Sequence, residues 1–139
     1  MRFVRAKKVA ALAAVIMAPL ASGAAQAQNA DFRAYANSDY GYCDAKKVAH
    51  VWRKDVGQAK AIIGAKIRNR LEKLIRADIR STANSVYCSW DETDLSFRDA
   101  KKLAKYWGRS VGDAKLKAKA MVSKWGTAKF RRRMRDALS

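Results

Sequence analysis

Two stretches of the chain place apolar residues at helical spacing and are close copies of each other. Residues 44–67 align with residues 99–122 at an offset of 55, and eleven of the 24 aligned positions are identical. Apolar side chains recur at i, i+3, i+4 and i+7, the spacing of one helix face. They are Ala45, Val48, Ala49 and Trp52 in the first copy and Ala100, Leu103, Ala104 and Trp107 in the second. The pattern predicts a duplicated helical unit.

Each copy carries start signals for two helices joined by a short turn. Asp44 and Asp99 are candidate N-caps of the first helix, and Asp55-x-x-Gln58 and Ser110-x-x-Asp113 resemble capping boxes that start the second. We expect equivalent positions to form the core, with the two tryptophans near a pseudo-twofold centre. These repeat-core residues are Trp52 and Trp107, Val56 and Val111, and Ala59 and Ala114.

A third helical stretch is expected in each copy, with Leu71, Leu74, Ile75 and Ile79 on one face in the first. The second has Phe130, Met134 and Leu138 after a break at Gly126-Thr127. Arg68-Asn69 is only a weak break, so a continuous second and third helix stays open for the first copy.

Together these patterns predict an all-α fold in which two related helical-hairpin units, with about six helices in total, pack into one small domain. The predicted segments are a lead over residues 28–41, unit 1 over 42–83, a connecting loop with an acidic cluster over 84–98, and unit 2 over 99–139.

Residues 1–27 have the organisation of a secretory signal peptide. A basic start precedes an apolar run from Val9 to Ala21, and Ala25-Gln26-Ala27 matches a small-residue cleavage site. A membrane anchor is the alternative, but the run is shorter than the roughly 20 residues that a spanning helix needs. We expect the mature chain to begin near Gln28, to lack a transmembrane span and to be periplasmic or secreted.

The chain is strongly basic. Its 139 residues include 30 Lys and Arg against 12 Asp and Glu, a formal net charge of +18. Loss of the signal segment removes Arg2, Arg5, Lys7 and Lys8 and leaves +14. The apolar fraction, 50%, is too high for a disordered basic tail. Outside the cytoplasm, such a charge favours an anionic envelope polymer, an anionic lipid surface or an acidic protein as partner.

Two cysteines in an exported small domain predict a disulfide, Cys43 to Cys88. The chain-entropy model assigns a closed loop of about 45 residues a stabilisation of about 4 kcal/mol. Metal ligation and a catalytic thiol rank lower, because there is no Cys-x-x-Cys spacing and only one histidine. No metal and no cofactor are expected.

Residues suited to catalysis are few. His50 is aligned with Lys105, which favours an exposed helix position over a general base. Asp91, Glu92 and Asp94 lack the spacing and the glycine of a calcium loop and are expected to be solvated or to cap helices. A non-enzymatic protein is therefore predicted, with a small enzyme of unknown class as an alternative.

The segment from Leu103 to Ala114 resembles a helix-turn-helix locally, and nucleic-acid binding is a further alternative. An export signal disfavours it, and lysines hold phosphates more readily than they distinguish bases. A structural or chaperone role is a last alternative.

The region from Lys115 to Arg135 contains nine basic residues and no acid, interleaved with apolar ones. It forms either a cationic amphipathic surface or a helix whose apolar side packs inward while its arginines are solvated. The leading hypothesis is an exported basic all-α binding protein that engages an anionic partner. The predicted anion-binding residues are Lys101, Lys102, Lys115, Lys117, Lys119, Lys124, Lys129, Arg131, Arg132, Arg133 and Arg135.

Overall fold

The structure, a computed structural model, describes residues 20–139 and is all-helical over that range, which confirms the predicted fold class. Most of the predicted signal segment, residues 1–19, lies outside the described residues. Between residues 20 and 139, eight α-helices and one short 3-10 helix follow one another, two α-helices more than expected. The α-helices are α1 (Leu20–Ala36), α2 (Tyr42–Trp52), α3 (Val56–Arg68), α4 (Glu72–Ser81), α5 (Phe97–Trp107), α6 (Val111–Trp125), α7 (Thr127–Arg133) and α8 (Arg135–Leu138), with the 3-10 turn at Asp91–Thr93.

Side-chain caps start the second helix of each hairpin where the sequence predicts them. Asp55 accepts from the Gln58 amide at 2.8 Å, and Ser110 accepts from the Asp113 amide at 3.1 Å. The predicted N-caps of the first helices are wrong, however. The helices begin a turn earlier, at Gly41 and Ser96, so that Asp44 and Asp99 occupy the third helical position and reach back to the cap amide.

The third helix of the first half is separate from the second. Arg70 adopts a left-handed backbone conformation, φ 58°, and α4 begins two residues later. Ile75 and Ile79 are buried as predicted, but Leu71 and Leu74 are 46% and 50% exposed. Leu71 precedes α4 as its N-cap residue, and Leu74 lies outside the stripe of Ile75 and Ile79 that faces the core.

The apolar interior consists of two clusters. One joins α2, α3 and α4 through Val48, Ile63 and Ile75, and the other joins α5, α6 and α7 through Leu103, Val122 and Phe130. The predicted disulfide between Cys43 and Cys88 is present, and both cysteines belong to the second cluster. Because Cys43 lies on α2, the bridge ties the first half of the chain to the core of the second.

The tryptophans do not meet at a pseudo-twofold centre, contrary to expectation. Trp52 is 47% exposed and lies against Lys66, while Trp107 is half-buried against the second cluster. Each is the last residue of an eleven-residue helix, beyond the turn that packs inward. Of the other predicted core residues, Ala59 and Ala114 are fully buried, and Val56 and Val111 are half-buried.

The same local contacts recur 55 residues apart, and they begin upstream of the stretch in which the sequence similarity is evident. Lys60 lies over the rings of Tyr35 and Tyr42, and the residues aligned with these, Lys115, Trp90 and Phe97, form the same arrangement. The Ser38 hydroxyl donates to the Tyr35 carbonyl, as the Thr93 hydroxyl does to that of Trp90. Duplication of the chain itself stays a prediction.

The aligned lysines Lys47 and Lys102 both donate to backbone carbonyls. The acceptors of Lys47 follow α4, and the acceptor of Lys102 is the last residue of α8. The fully buried Lys47 reaches the Thr82 and Val86 carbonyls at 3.3 and 3.2 Å, and burial lowers the pKa of its ammonium group. Lys102 reaches the Leu138 carbonyl at 2.7 Å. Lys47 thereby connects α2 to the segment that follows α4, and Lys102 connects α5 to the end of α8.

A buried carboxylate connects the two halves. Asp44 of α2 accepts from the amides of Thr127 and Ala128, at 2.9 and 3.1 Å, and thereby caps the start of α7. The same side chain accepts from the Gly41 amide of its own helix at 2.9 Å. Gly126 precedes α7 with φ 82°, and a Cβ there would overlap the Asp44 carboxylate. Only glycine suits both this backbone conformation and this close approach.

Helix α1 was not anticipated in the lead over residues 28–41. It packs across α3 at Gly64, where a Cβ would overlap the backbone carbonyl of Asp31. Arg68 pairs with the Asp31 carboxylate at 2.6 Å beside this crossing. Side chains are exposed over residues 23–29 and become partly buried from Ala30 onward, so the packed part of α1 is its second half.

We expect Gly64→Ala to lower the free energy of unfolding by about 1–3 kcal/mol, because the added methyl group forces α1 and α3 apart. Gly112→Ala is the matched control: a Cβ there meets only the Ser110 hydroxyl at 3.9 Å, and the helix gains an alanine. Urea unfolding followed by circular dichroism measures both. Equal stability of the two variants would contradict the close α1–α3 crossing.

Asp44→Ala should cost roughly 3 kcal/mol or more, because three buried amides lose their acceptor. The aligned Asp99 caps only the exposed Ser96 amide of its own helix, at 2.8 Å, so Asp99→Ala should cost about 1 kcal/mol or less. Chemical unfolding of both variants tests the difference. A loss for Asp99→Ala as large as that for Asp44→Ala would show that Asp44 acts as a local cap only.

Candidate anion-binding cleft

The eleven predicted anion-binding residues do not form one patch. Several lie against partners within the protein: Lys102 donates to Leu138, and Arg131 donates to the Asp94 carbonyl at 2.6 Å. Others lie over aromatic rings, namely Lys101 over Phe97, Lys115 over Trp90 and Phe97, Lys117 over Trp107, and Arg133 over Trp125. Arg135 is exposed on the last helix.

Lys119 and Lys124 lie on a broad open groove of about 810 Å³ beside the disulfide. Lys46 and Glu92 form an ion pair of 2.9 Å on its wall. Glu92 also accepts from the Ser89 amide. Against the effect of burial, this hydrogen bond and the contact with Lys46 hold the pKa of the Glu92 carboxyl below its usual range. This groove therefore already contains an anion of the protein.

Lys129 and Arg132 line a smaller cleft between α4 and α7, together with two arginines that are not among the predicted anion-binding residues, Arg76 and Arg80. We call this the α4–α7 cleft. Its volume is about 240 Å³. The complete lining is Tyr40, Asp44, Arg76, Ile79, Arg80, Trp125, Ala128, Lys129 and Arg132.

Helical spacing places the cations of the α4–α7 cleft in two pairs. Arg76 and Arg80 are four residues apart on α4, and Lys129 and Arg132 are three apart on α7, so each pair shares one side of its helix. Arg76 pairs with Glu72 at 3.6 Å. Within residues 20–139, Arg80, Lys129 and Arg132 form no ion pair. Three of the four cations that line the cleft thus have no carboxylate paired with them among the described residues.

Among the described residues, Asp44 is the only acid that lines the cleft, and its oxygens are occupied by the three amides described above. Burial raises the pKa of its carboxyl to about 6, against the opposing effect of those amides and of Lys47. Because Asp44 already accepts from the amides of Thr127 and Ala128, these amides at the α7 N-terminus cannot donate to an incoming anion. Such an anion would therefore be held by side chains.

The remaining walls are apolar or neutral. Ile79, Ala128 and Trp125 line them, and Tyr40 contributes its ring and its hydroxyl. Burial raises the pKa of Tyr40, so its hydroxyl is protonated at neutral pH and can donate a hydrogen bond. The arrangement combines an apolar surface with charged donors, as small-ligand sites commonly do.

One signal in the sequence could have found the missed arginines. Arg76 and Arg80 align at the same offset of 55 with Arg131 and Arg135, which belong to the basic C-terminal region. That alignment predicts basic positions on both third helices. It does not predict that the positions of α4 face those of α7, because this requires the packing of the two halves.

The candidates for catalysis are placed apart. His50 is exposed and lines an open groove with Lys46, Arg53, Lys54 and Tyr87. In the acidic segment, Glu92 pairs with Lys46 and Asp94 accepts from the Tyr42 amide, while Asp91 is exposed.

Residues 20–139 contain no group of three or more His, Cys, Asp or Glu side chains placed to hold a metal ion. Among the described helices, none is long and apolar enough to span a membrane.

No protein-family model, no curated protein and no solved structure matches this chain. The class of protein is therefore defined by its own fold and surface: a small disulfide-linked helical domain with a cationic cleft between its two halves.

The pKa of Asp44 predicts a pH dependence of stability. A carboxyl whose pKa is higher in the folded state, about 6, than its ordinary value of 3.8 stabilises the fold most below pH 3.8. This contribution is lost as pH rises through 6. The wild-type chain should therefore lose about 3 kcal/mol relative to Asp44→Asn between pH 3.5 and 7, since one pKa unit corresponds to about 1.4 kcal/mol. Urea unfolding of both proteins across this range measures it; a constant difference would contradict the assignment.

Proposed function

We propose that the protein is an exported, non-enzymatic binding protein that engages an anionic component of the cell envelope or an acidic protein. The observation that carries the proposal is the grouping of Arg80, Lys129 and Arg132, which have no ion-pair partner among residues 20–139, around one cleft. Three such cations around one cleft attract anions, and the chain would keep a formal net charge of +14 after loss of the signal segment. An anion that enters the cleft accepts charge-assisted hydrogen bonds from these cationic side chains.

Export is supported by the order of features at the N-terminus and by the disulfide. Cleavage after Ala27 would remove residues 23–27, whose side chains are exposed, and keep the packed part of α1 from Ala30 onward. The processed chain would therefore retain the crossing of α1 over Gly64. Mass measurement of the protein recovered from the periplasm or the medium tests this step.

Nucleic-acid binding is less well supported. The lysines expected to face phosphates, Lys115 and Lys117, lie over aromatic rings at 4.5 to 5.3 Å, and their charges are partly engaged there. The helix pair of α5 and α6 is joined at Gly108, in a left-handed conformation typical of any helical hairpin.

Neutralising the cleft should weaken binding to polyanions. We expect Arg80→Gln, Lys129→Gln and Arg132→Gln combined to reduce the affinity of the full chain for heparin or for vesicles containing phosphatidylglycerol by about tenfold or more at low salt, since each charge near such a surface contributes about 1 kcal/mol. Affinity of the wild type should fall as salt rises.

The control removes the same charges elsewhere. Arg98, Lys105 and Arg109 are exposed on or just after α5, and the triple change to Gln keeps the net charge equal to that of the cleft variant. Equal binding by the two triple variants would mean that net charge alone attracts polyanions and would overturn the role of the cleft. A wild-type chain that ignores both probes at low salt would overturn the proposed function.

A further inference from the structure

The α4–α7 cleft has a more specific chemistry than a cationic surface. Four cations converge on a space of about 240 Å³, two from each side. An extended polyanion cannot enter such a space along its length, so only a compact anionic group, free or carried by a polymer or a lipid, fits inside. The inference below rests on the proposed function and names the group that this cleft takes.

The number of cations selects the charge of the ligand. Asp44 contributes one negative charge at most, and Arg76 is partly neutralised by Glu72 at 3.6 Å. The excess positive charge attracts a dianion more strongly than a monoanion, because the Coulomb energy scales with the product of the charges. A phosphate monoester carries nearly two charges at neutral pH, whereas a carboxylate or a phosphodiester carries one.

The geometry of the donors suits tetrahedral oxygens. Three of the four cations are arginines, whose planar guanidinium groups can donate two parallel hydrogen bonds to one phosphate. The Tyr40 hydroxyl adds a neutral donor on the same lining. Trp125 and Ile79 provide an apolar wall for the group that the phosphate esterifies.

We propose that the α4–α7 cleft binds a terminal phosphomonoester group between Arg76 and Arg80 of α4 and Lys129 and Arg132 of α7, with the esterified substituent against Trp125. Phosphomonoesters reach such a cleft either as soluble molecules or as the exposed headgroup of a lipid. The recognised chemistry is the same for both.

Calorimetric titration of the full chain at pH 7.5 tests the ligand class with phenyl phosphate, inorganic phosphate and benzoate. We expect phenyl phosphate to bind about tenfold more tightly than benzoate, a difference of about 1.4 kcal/mol. Equal affinities for phenyl phosphate and benzoate, or no binding of phenyl phosphate, would overturn the proposal.

Variants locate the site. Arg80→Gln and Arg132→Gln should each weaken phenyl phosphate binding about tenfold, while Arg109→Gln, exposed and outside the cleft, should leave it unchanged. Circular dichroism checks that each variant is folded. Arg80→Lys keeps the charge but loses the planar donor pair, and a weaker affinity for phenyl phosphate with an unchanged affinity for heparin supports recognition of phosphate geometry. Unchanged phenyl phosphate binding in both Gln variants would contradict the site.

Vesicles distinguish the two sources. Binding to vesicles with phosphatidic acid that exceeds binding to phosphatidylglycerol vesicles of equal surface charge, and that phenyl phosphate displaces, identifies a lipid headgroup. Binding of phenyl phosphate without this lipid preference identifies a soluble ligand, and both results support the phosphomonoester class. If heparin binding depends on the cleft but phenyl phosphate does not bind, the ligand class is wrong while the proposed function stands.

Discussion

The buried carboxylate of Asp44 is the interaction on which the arrangement of the two halves depends. It belongs to α2 yet caps α7, 83 residues further along the chain, through the Thr127 amide. If this contact were lost, the buried carboxylate and the buried amides would lack partners, at a desolvation cost of several kcal/mol. The contact therefore sets where α7 begins relative to α2, and Lys129 and Arg132 follow from that start. The disulfide from Cys43, one residue before Asp44, holds the same part of α2 against the second core.

The basic character of the chain is divided among different tasks. Lys47 and Lys102 donate to backbone carbonyls after α4 and at the end of α8, and Lys60 and Lys115 lie between aromatic rings in equivalent positions. These cations contribute to the fold, so their number overstates the charge that a partner meets. In the α4–α7 cleft, three of the four cations have no ion-pair partner among residues 20–139. Charge that is unpaired and convergent, rather than total charge, supports a binding site.

Local patterns predicted local structure well. The helix starts at Asp55 and Ser110 and the buried face of Ile75 and Ile79 need only neighbouring residues, and the disulfide followed from the count of two cysteines. Trp52 was wrongly assigned to the core, because the hydrophobic period identifies the buried face of a helix but not the length over which another helix covers that face. Helix α1 was missed because its apolar side is weak and its packing depends on a glycine of α3.

By itself, the sequence determined the helical class, the turns that precede Asp55 and Ser110, the disulfide and the excess of positive charge, since these depend on residue type and on spacing within one or two helical turns. The α4–α7 cleft was decided only by tertiary structure. Arg76 and Arg132 are far apart in the chain, and they meet because the Asp44 cap and the core place α4 beside α7. Long-range contacts of this kind leave no periodic signal, because each depends on the packing of the entire domain.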